Sequence, residues 1–293
     1  MPQEWQAKPK GECNMKLLLV DGMNLLFQMF FGMPARIIGK NGQAIQGTLG
    51  FVGALIKIIK MTEPTHIAVL FDGEHENPRN ELLSEYKANR IDYTDIPAEA
   101  NPFSQLEDVY AALNHMGISH FEIADNEADD AIAAYALTYG KTMEVVIASF
   151  DSDFFQLINE NVTVLRYRGD KTVFCDSEFI NNKFAIMPAA YAEFKALIGD
   201  KADNIKGAER IGSKTASALL KKFGSLASII ENAGEIEKPS IRESVMANAE
   251  RLKMNYSLIK LDSIVAVPFS LEDLSYAYDN ITTTEILRKI GVK

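Results

Sequence analysis

Several carboxylates in this chain fall where they cost free energy unless something positive faces them. Asp21 ends the apolar run KLLLVD at residues 16–21, Asp72 ends HIAVLFD at 66–72, and Asp151 ends EVVIASFD at 144–151. Residues 125–131 read DNEADDA ahead of an apolar helical pattern, which puts Glu127, Asp129 and Asp130 in a first helical turn, with Glu127 and Asp130 on one face. Asp153 follows Asp151 by two residues, and Asp200 and Asp203 form a further pair in GDKADN. Oxygen ligands without a partner histidine suit Mg²⁺ or Mn²⁺ better than zinc. Brought together without cations, these carboxylates would repel one another and raise one another's pKa values, so convergence implies cations. Each group also has a plainer reading. Acidic residues are favoured at helix N-termini, where Asp125 or Asn126 would serve as a cap, and aspartates are common in turns. Residue type alone leaves both readings open.

The elements that must position these groups follow from the apolar pattern. The three runs that end in aspartate read as buried parallel strands. Helical patterns at 46–61, 103–116 and 127–139 lie between them, giving an α/β class with a mostly parallel twisted sheet and helices on both faces. Ligands in such sheets sit beyond the carboxyl ends of the strands, where three aspartates are delivered together. Residues 73–102 make a long polar connection with Arg79, Tyr86, Lys87, Arg90 and Tyr93, and connections of this length are usually lids or binding loops. From about residue 188 the pattern turns to consecutive helices with glycine-containing turns. We divide the chain into a flexible extension at 1–14, an α/β domain at 15–187 and a helical subdomain at 188–293, whose tail after about 264 packs on the body.

Composition narrows the setting. A chain of 293 residues with 47% hydrophobic content is not disordered or fibrous. Cys13 and Cys175 show neither zinc spacing nor a disulfide framework, the amino-terminal residues lack a signal-peptide core, and no apolar run approaches a membrane span. A reduced, cytoplasmic protein with no membrane partner is expected, and nothing requires more than a monomer. The net charge of −10 argues against a polyanionic partner unless the acid is concentrated at a cation site.

The residues resemble the 5′ nucleases: flap endonucleases, phage 5′ exonucleases and the amino-terminal nuclease domain of bacterial DNA polymerase I. The motifs are LLLVDGMNLLF at Leu17, VLFDGE at Val69, PRNELLSEYKANR at Pro78, NEADDAIA at Asn126, SFDSDFFQLI at Ser149 and IGDKADNIKGAERIGSKTASALLKKFG at Ile198. They run in this order over nearly the whole chain from Met15. The resemblance implies a PIN-like fold and a metal-dependent nuclease that cuts branched or 5′-ended DNA near junctions, with an RNA–DNA hybrid as a further substrate in primer removal. It implies a first Mg²⁺ or Mn²⁺ cluster of Asp21, Asp72, Glu127, Asp129 and Asp130, and a second of Asp151, Asp153, Asp200 and Asp203, with Asp130 and Asp153 also counted as catalytic. Lys87 matches a lysine that approaches the scissile phosphate; Arg79 and Arg90 match basic positions of a helical arch over the site.

Tyr86 is either a surface for stacking an unpaired base or a core residue at the base of the lid. Residues 198–224 resemble a helix-hairpin-helix, with Gly207 and Gly212 shaping the turn and Ser213 as the next helix's cap. Lys206, Arg210, Lys214, Lys221 and Lys222 supply phosphate-directed charge, and the family often binds K⁺ through hairpin carbonyls. Two positions depart from the pattern: Gln28 stands where many relatives have arginine, and Arg210 where glycine is usual. The end of the chain at Lys293 without a polymerase segment suggests a stand-alone bacterial or phage-type nuclease. Two competing functions remain, a catalytically silent DNA-junction binder of the same fold and a small-molecule phosphatase built on Asp151 and Asp153.

Overall fold

A computed structural model describes residues 15–40, 42–73, 83, 86–124, 126–262 and 265–293. Its sheet is built from β1 (Lys16–Asp21), β2 (His66–Asp72), β3 (Ser119–Ile123), β4 (Glu144–Ala148), β5 (Val162–Arg166) and β6 (Val173–Cys175). The spatial order is β3-β2-β1-β4-β5-β6; β6 runs antiparallel to β5 and every other neighbouring pair is parallel. The chain leaves β1 for β2 on one side and returns to β1's other side as β4. The order therefore reverses between β1 and β4, and a crevice opens beyond their carboxyl ends.

Successive side chains of a strand point to opposite faces, and the two cores follow that alternation. Leu18, Val20, Ile67, Val69, Phe71 and Val146 pack against α1 (Gly22–Gly32), α2 (Gln46–Thr62), α3 (Leu106–His115) and the carboxy-terminal α11 (Thr283–Lys289). Leu17, Leu19, Leu70, Val145, Ile147 and Val164 instead face α4 (Ala128–Tyr139) and the helices that follow the sheet. The expected three-layer α/β arrangement with helices on both faces is thus present. Burial of each such aliphatic side chain contributes roughly 1.5–3 kcal/mol, which fixes the strand ends from which the acidic side chains project.

Beyond the sheet come α5 (Ser177–Phe184), α6 (Tyr191–Ile198), α7 (Ser213–Phe223), α8 (Leu226–Glu231), α9 (Pro239–Ala247) and α10 (Ala249–Ile259). A two-stranded ribbon, β7 (Gly199–Asp200) against β8 (Ile205–Lys206), lies between α6 and α7. Two glycines permit it. A Cβ on Gly199 would lie 2.4 Å from the Gly207 amide nitrogen, and one on Gly207 would lie 2.2 Å from the Ile198 carbonyl carbon. Gly199 also sits at φ +81°, where a side chain would be strained.

Several expectations need correction. β4 ends at Ala148, so Asp151 stands in the loop beyond the strand and not at its end. The 103–116 helix begins as a 3₁₀ turn, Pro102–Gln105, before α3. Glu127 is the N-cap of α4 and not part of its first turn. Ser213 is not a cap either: Gly212 holds the N-cap of α7 in extended conformation, with no side-chain capping bond, and Ser213 is the first helical residue. Within 86–101 the described residues form turns and one 3₁₀ segment, Ala98–Ala100; Arg79 and the rest of 74–82, with 84 and 85, lie outside the described residues, as do Asp125 and Cys13. Among the described residues no helix is long and apolar enough to cross a membrane.

Candidate active site

Asp21 closes β1 and opens α1. Its Oδ1 accepts from the Asn24 amide at 3.0 Å, an N-cap contact, and its Oδ2 accepts from Ser149 Oγ at 2.8 Å. The residue is 6% exposed. Asp72, at the end of β2, accepts from the Ala128 amide at 2.7 Å and so caps α4 from a neighbouring strand. That bond brings the α4 residues Asp129 and Asp130 to the edge where Asp21 and Asp72 end. Asp129 is partly exposed, whereas Asp130 is buried.

The loop after β4 is held by its neighbours. Ser149 Oγ, besides donating to Asp21, accepts from the Asp151 amide at 2.9 Å, and Asp151 Oδ1 accepts from the Asp153 amide at 2.8 Å. The Phe150 amide donates to Asn24 Oδ1 at 3.0 Å, and its carbonyl accepts from Arg166 Nη2 at 2.6 Å. Ser149 therefore ties the β1 carboxylate to the 151–153 pair directly. Asp200 and Asp203 come from the ribbon and its turn, and oxygens of Asp153, Asp200 and Asp203 all lie within 4.8 Å of one another.

The charges in this space are unevenly matched. Burial, then Asp72, pushes the Asp21 carboxyl up to about 7, against hydrogen bonds from Asn24 and Ser149 that favour the anion. Asp129 is held well above the ordinary range by burial, then by Asp151, Asp21 and Asp72. Asp153 is likewise pushed up to about 7 by burial, with Lys195 opposing. Asp72 and Asp151 thus act on both Asp21 and Asp129, the mutual repulsion expected of converging carboxylates that face a cation.

Among the described residues, Lys87, Arg90 and Lys195 reach the acids. Lys87, at φ +54°, pairs with Glu127 and lies 4.9 Å over the Tyr86 ring. Burial works against its charge, but Glu127, Asp129 and Asp203 outweigh it, so the ammonium is held more firmly than usual. Arg90 Nη2 meets Asp203 Oδ1 at 3.1 Å. Lys195 of α6, 5% exposed, pairs with both Asp153 and Asp200. Sequence reasoning missed Lys195, and the available signal was a lysine inside the apolar stripe YAEFKALI. It also missed Ser149 and Asn24, for which residue type gives no signal before the loop is folded.

Tyr86 is buried in the main core with its hydroxyl 3.4 Å from Glu127, which is the core placement of the two weighed. The segment after it is pinned where Tyr93 packs edge-on against Phe27 of α1, ring centroids 5.4 Å apart. Gln28 donates to the Tyr167 carbonyl at 2.6 Å and is engaged within the fold.

The hairpin begins with the ribbon that carries Asp200, but its later residues are more exposed than the acids. Lys206, Arg210, Gly212, Ser213, Lys214 and Lys221 are exposed and Gly207 is half-buried. Arg210 sits at φ +66°, the left-handed region that explains why glycine suits this position. The turn is fastened to α9 and α10: Arg251 Nη2 donates to the Gly207 carbonyl at 2.9 Å, Ser244 Oγ to the Glu209 carbonyl at 2.6 Å, and Asn255 Nδ2 to the Lys206 carbonyl at 2.9 Å.

Comparison with known proteins places this geometry. Residues 16–185 match the model of the 5′-3′ exonuclease N-terminal resolvase-like domain, and residues 186–282 that of the 5′-3′ exonuclease C-terminal SAM fold. The chain is 34% identical over 260 residues to the 5′-3′ exonuclease of Aquifex aeolicus, covering 88% of this chain and 86% of that protein. It is 32% identical over 268 residues to DNA polymerase I of Streptococcus pneumoniae, covering 89% of this chain but spanning only 30% of the polymerase. Among solved structures it is similar to a bacteriophage T5 flap endonuclease in a pseudo-enzyme–product complex with DNA and metal ions. That likeness has TM-score 0.70 and 25% identity and covers 84% of this chain and 89% of that one.

Proposed function

The chain belongs to the 5′-3′ exonuclease family, and on that premise we propose that it is a divalent-metal-dependent 5′ nuclease hydrolysing phosphodiesters near single-strand to duplex junctions. The observation that carries this reading is the set of carboxylates at the β1–β4 crevice. Asp21 and Asp129 are pushed toward protonation by burial and by their acidic neighbours, and Asp153, Asp200 and Asp203 present oxygens within 4.8 Å of one another. The donor set fits Mg²⁺, with Mn²⁺ able to replace it, since it offers hard oxygen ligands alone. Asp21, Asp72, Glu127, Asp129 and Asp130 would hold one ion, and Asp151, Asp153, Asp200 and Asp203 the other. Bound there, such ions supply an activated water and positive charge for the scissile phosphate and leaving oxygen.

The chain's own part is to place charge and hold DNA. Lys87 presents an ammonium at the rim of the acids, where it would offset charge that grows on the phosphate, and Arg90 and Arg79 would add to it. Gly207, Gly212, Ser213 and the basic residues of the hairpin would take duplex phosphates without reading sequence. A K⁺ at the hairpin would be held by backbone carbonyls; those of Lys206 and Gly207 each accept one side-chain hydrogen bond, from Asn255 and Arg251, and keep a second lone pair. Residues 15–187 serve as the nuclease domain and 188–293 as the DNA-holding subdomain. We place the protein in the cytoplasm as a monomer, removing 5′ flaps or RNA primers. The test is a single-turnover digest of a 5′-flap duplex beside matched blunt duplex and single strand, in Mg²⁺ and then in EDTA. Metal-dependent cutting at the junction is expected; tight binding without cutting in any divalent metal would leave a silent junction binder instead.

A further inference from the structure

One acid stands inside the basic turn. Residues 206–224 carry Lys206, Arg210, Lys214, Lys221 and Lys222, and their single carboxylate is Glu209. An extended chain spans at most about 3.6 Å per residue, so the Glu209 Cα lies within about 11 Å of those of Lys206 and Gly212, three positions to either side. The Debye length is about 10 Å at 0.1 M salt, so a phosphate taken by this turn would feel a free carboxylate at Glu209.

Both carboxylate oxygens are engaged from α10 and its N-cap. Arg251 Nη2 donates to Oε1 at 2.9 Å and Asn248 Nδ2 donates to Oε2 at 2.8 Å. The backbone on either side is fixed by the same surface: Arg251 Nη2 also donates to the Gly207 carbonyl at 2.9 Å, and Ser244 Oγ to the Glu209 carbonyl at 2.6 Å. Ser244, Asn248 and Arg251 recur at helical spacing along α9, its C-cap and α10. The Glu209 side chain is 66% exposed, and an exposed ion pair adds little to stability. The effect of this one falls on charge that approaches the turn.

We propose that Arg251 is a positioning residue of the hairpin: with Asn248 it holds the Glu209 carboxylate against α10 and matches its charge, so that the turn meets duplex phosphate as a basic surface, while Arg251 itself makes no phosphate contact. This rests on the reading of the hairpin as the element that holds duplex.

The experiment is a double-mutant cycle on the full chain, with the affinity for a labelled duplex measured by fluorescence anisotropy in EDTA. Arg251→Met should weaken binding by about fivefold or more, the effect of a unit charge released to about 4 Å from a phosphate in water. Glu209→Gln should change the parent by less than about twofold, yet restore Arg251→Met to within about twofold of the parent. Arg251→Lys, which keeps the charge, should stay close to the parent. Arg251→Gln keeps a donor for the Gly207 carbonyl but no charge; it should behave as Arg251→Met and serves if the methionine variant does not fold by circular dichroism. Unchanged affinity in the neutral variants overturns the proposal. A loss that persists in the presence of Glu209→Gln also overturns it, because Arg251 then contacts phosphate directly. Joint replacement of Lys214 and Lys221 by alanine separates the two readings: if it too leaves affinity unchanged, the hairpin does not hold duplex and both fall, whereas weakening there with none in the Arg251 variants removes the role of Arg251 alone.

Discussion

Replacing Asp21 with asparagine should stabilise the metal-free protein while abolishing cleavage. In the folded protein the Asp21 carboxyl is raised from 3.8 to about 7, chiefly by burial and then by Asp72. A folded-state pKa above the unfolded one means that the folded protein binds the proton more tightly between about pH 4 and pH 7. Stability therefore falls as pH rises through that window, and the whole cost is present by pH 8. Three pH units correspond to a ceiling of about 4 kcal/mol, and relaxation of the neighbouring acids brings the expected figure to about 1–4 kcal/mol. Asparagine has the same shape. Its oxygen still accepts from the Asn24 amide, and its amide group faces Ser149 Oγ, which changes from donor to acceptor. Urea melts in EDTA should show Asp21→Asn more stable than the parent at pH 8 and equal to it near pH 4. Mg²⁺ should then raise the parent's midpoint at pH 8 much more than the variant's. A variant less stable than the parent at pH 8 in EDTA would refute the reasoning, since it would mean the lost hydrogen bond outweighs any repulsion.

Lys87→Met should slow single-turnover cleavage by roughly 10²-fold while duplex affinity changes by less than about threefold; equal losses in both would remove it from the transition state. Ser149→Ala should cost about 1–3 kcal/mol in urea melts, because the buried Asp21 oxygen and the Asp151 amide both lose their partner, and an unchanged midpoint would show that the tie is slack. Arg210→Gly should relieve roughly 1 kcal/mol of left-handed strain while lowering the salt dependence of duplex binding by about one phosphate contact; a loss of stability would mean that the side chain packs usefully. Joint replacement of Lys214 and Lys221 by alanine should weaken all duplex sequences alike, and a sequence-selective loss in a binding assay would contradict backbone recognition.

What could be read from the sequence was whatever repeats along one element. β1 and β2 were readable to the residue because continuous apolar runs end abruptly at Asp21 and Asp72. β3 was not, since its SHFEI has two exposed positions at a sheet edge and carries no apolar run. β5 and β6 are short and pair beyond the third readable strand, where only the sheet itself selects them. The acidic residues could be nominated by type and spacing. Their caps and ties could not, because Asp72 reaches Ala128 across 56 positions and Ser149 reaches Asp21 across 128. Lys195 shows the same limit. Its place in an apolar stripe marks it as buried, but only the fold says that Asp153 lies 42 residues away in sequence and against its ammonium.

The acidic net charge, at first an objection to a DNA-directed protein, becomes part of how the site would work. The exposed cations Lys206, Arg210, Lys214 and Lys221 lie on the hairpin and α7, while Lys87, Arg90 and Lys195 are spent on carboxylates at the sheet edge. If the hairpin takes duplex phosphates as proposed, its exposed cations would make the backbone contacts, while the acidic crevice would repel phosphate in the absence of metal. On this reading the hairpin would hold a duplex in EDTA with an ordinary salt dependence. The phosphate to be cut would enter the crevice only once divalent ions offset the acids that Lys87, Arg90 and Lys195 leave unmatched. Metal entry would then gate engagement of the scissile phosphate.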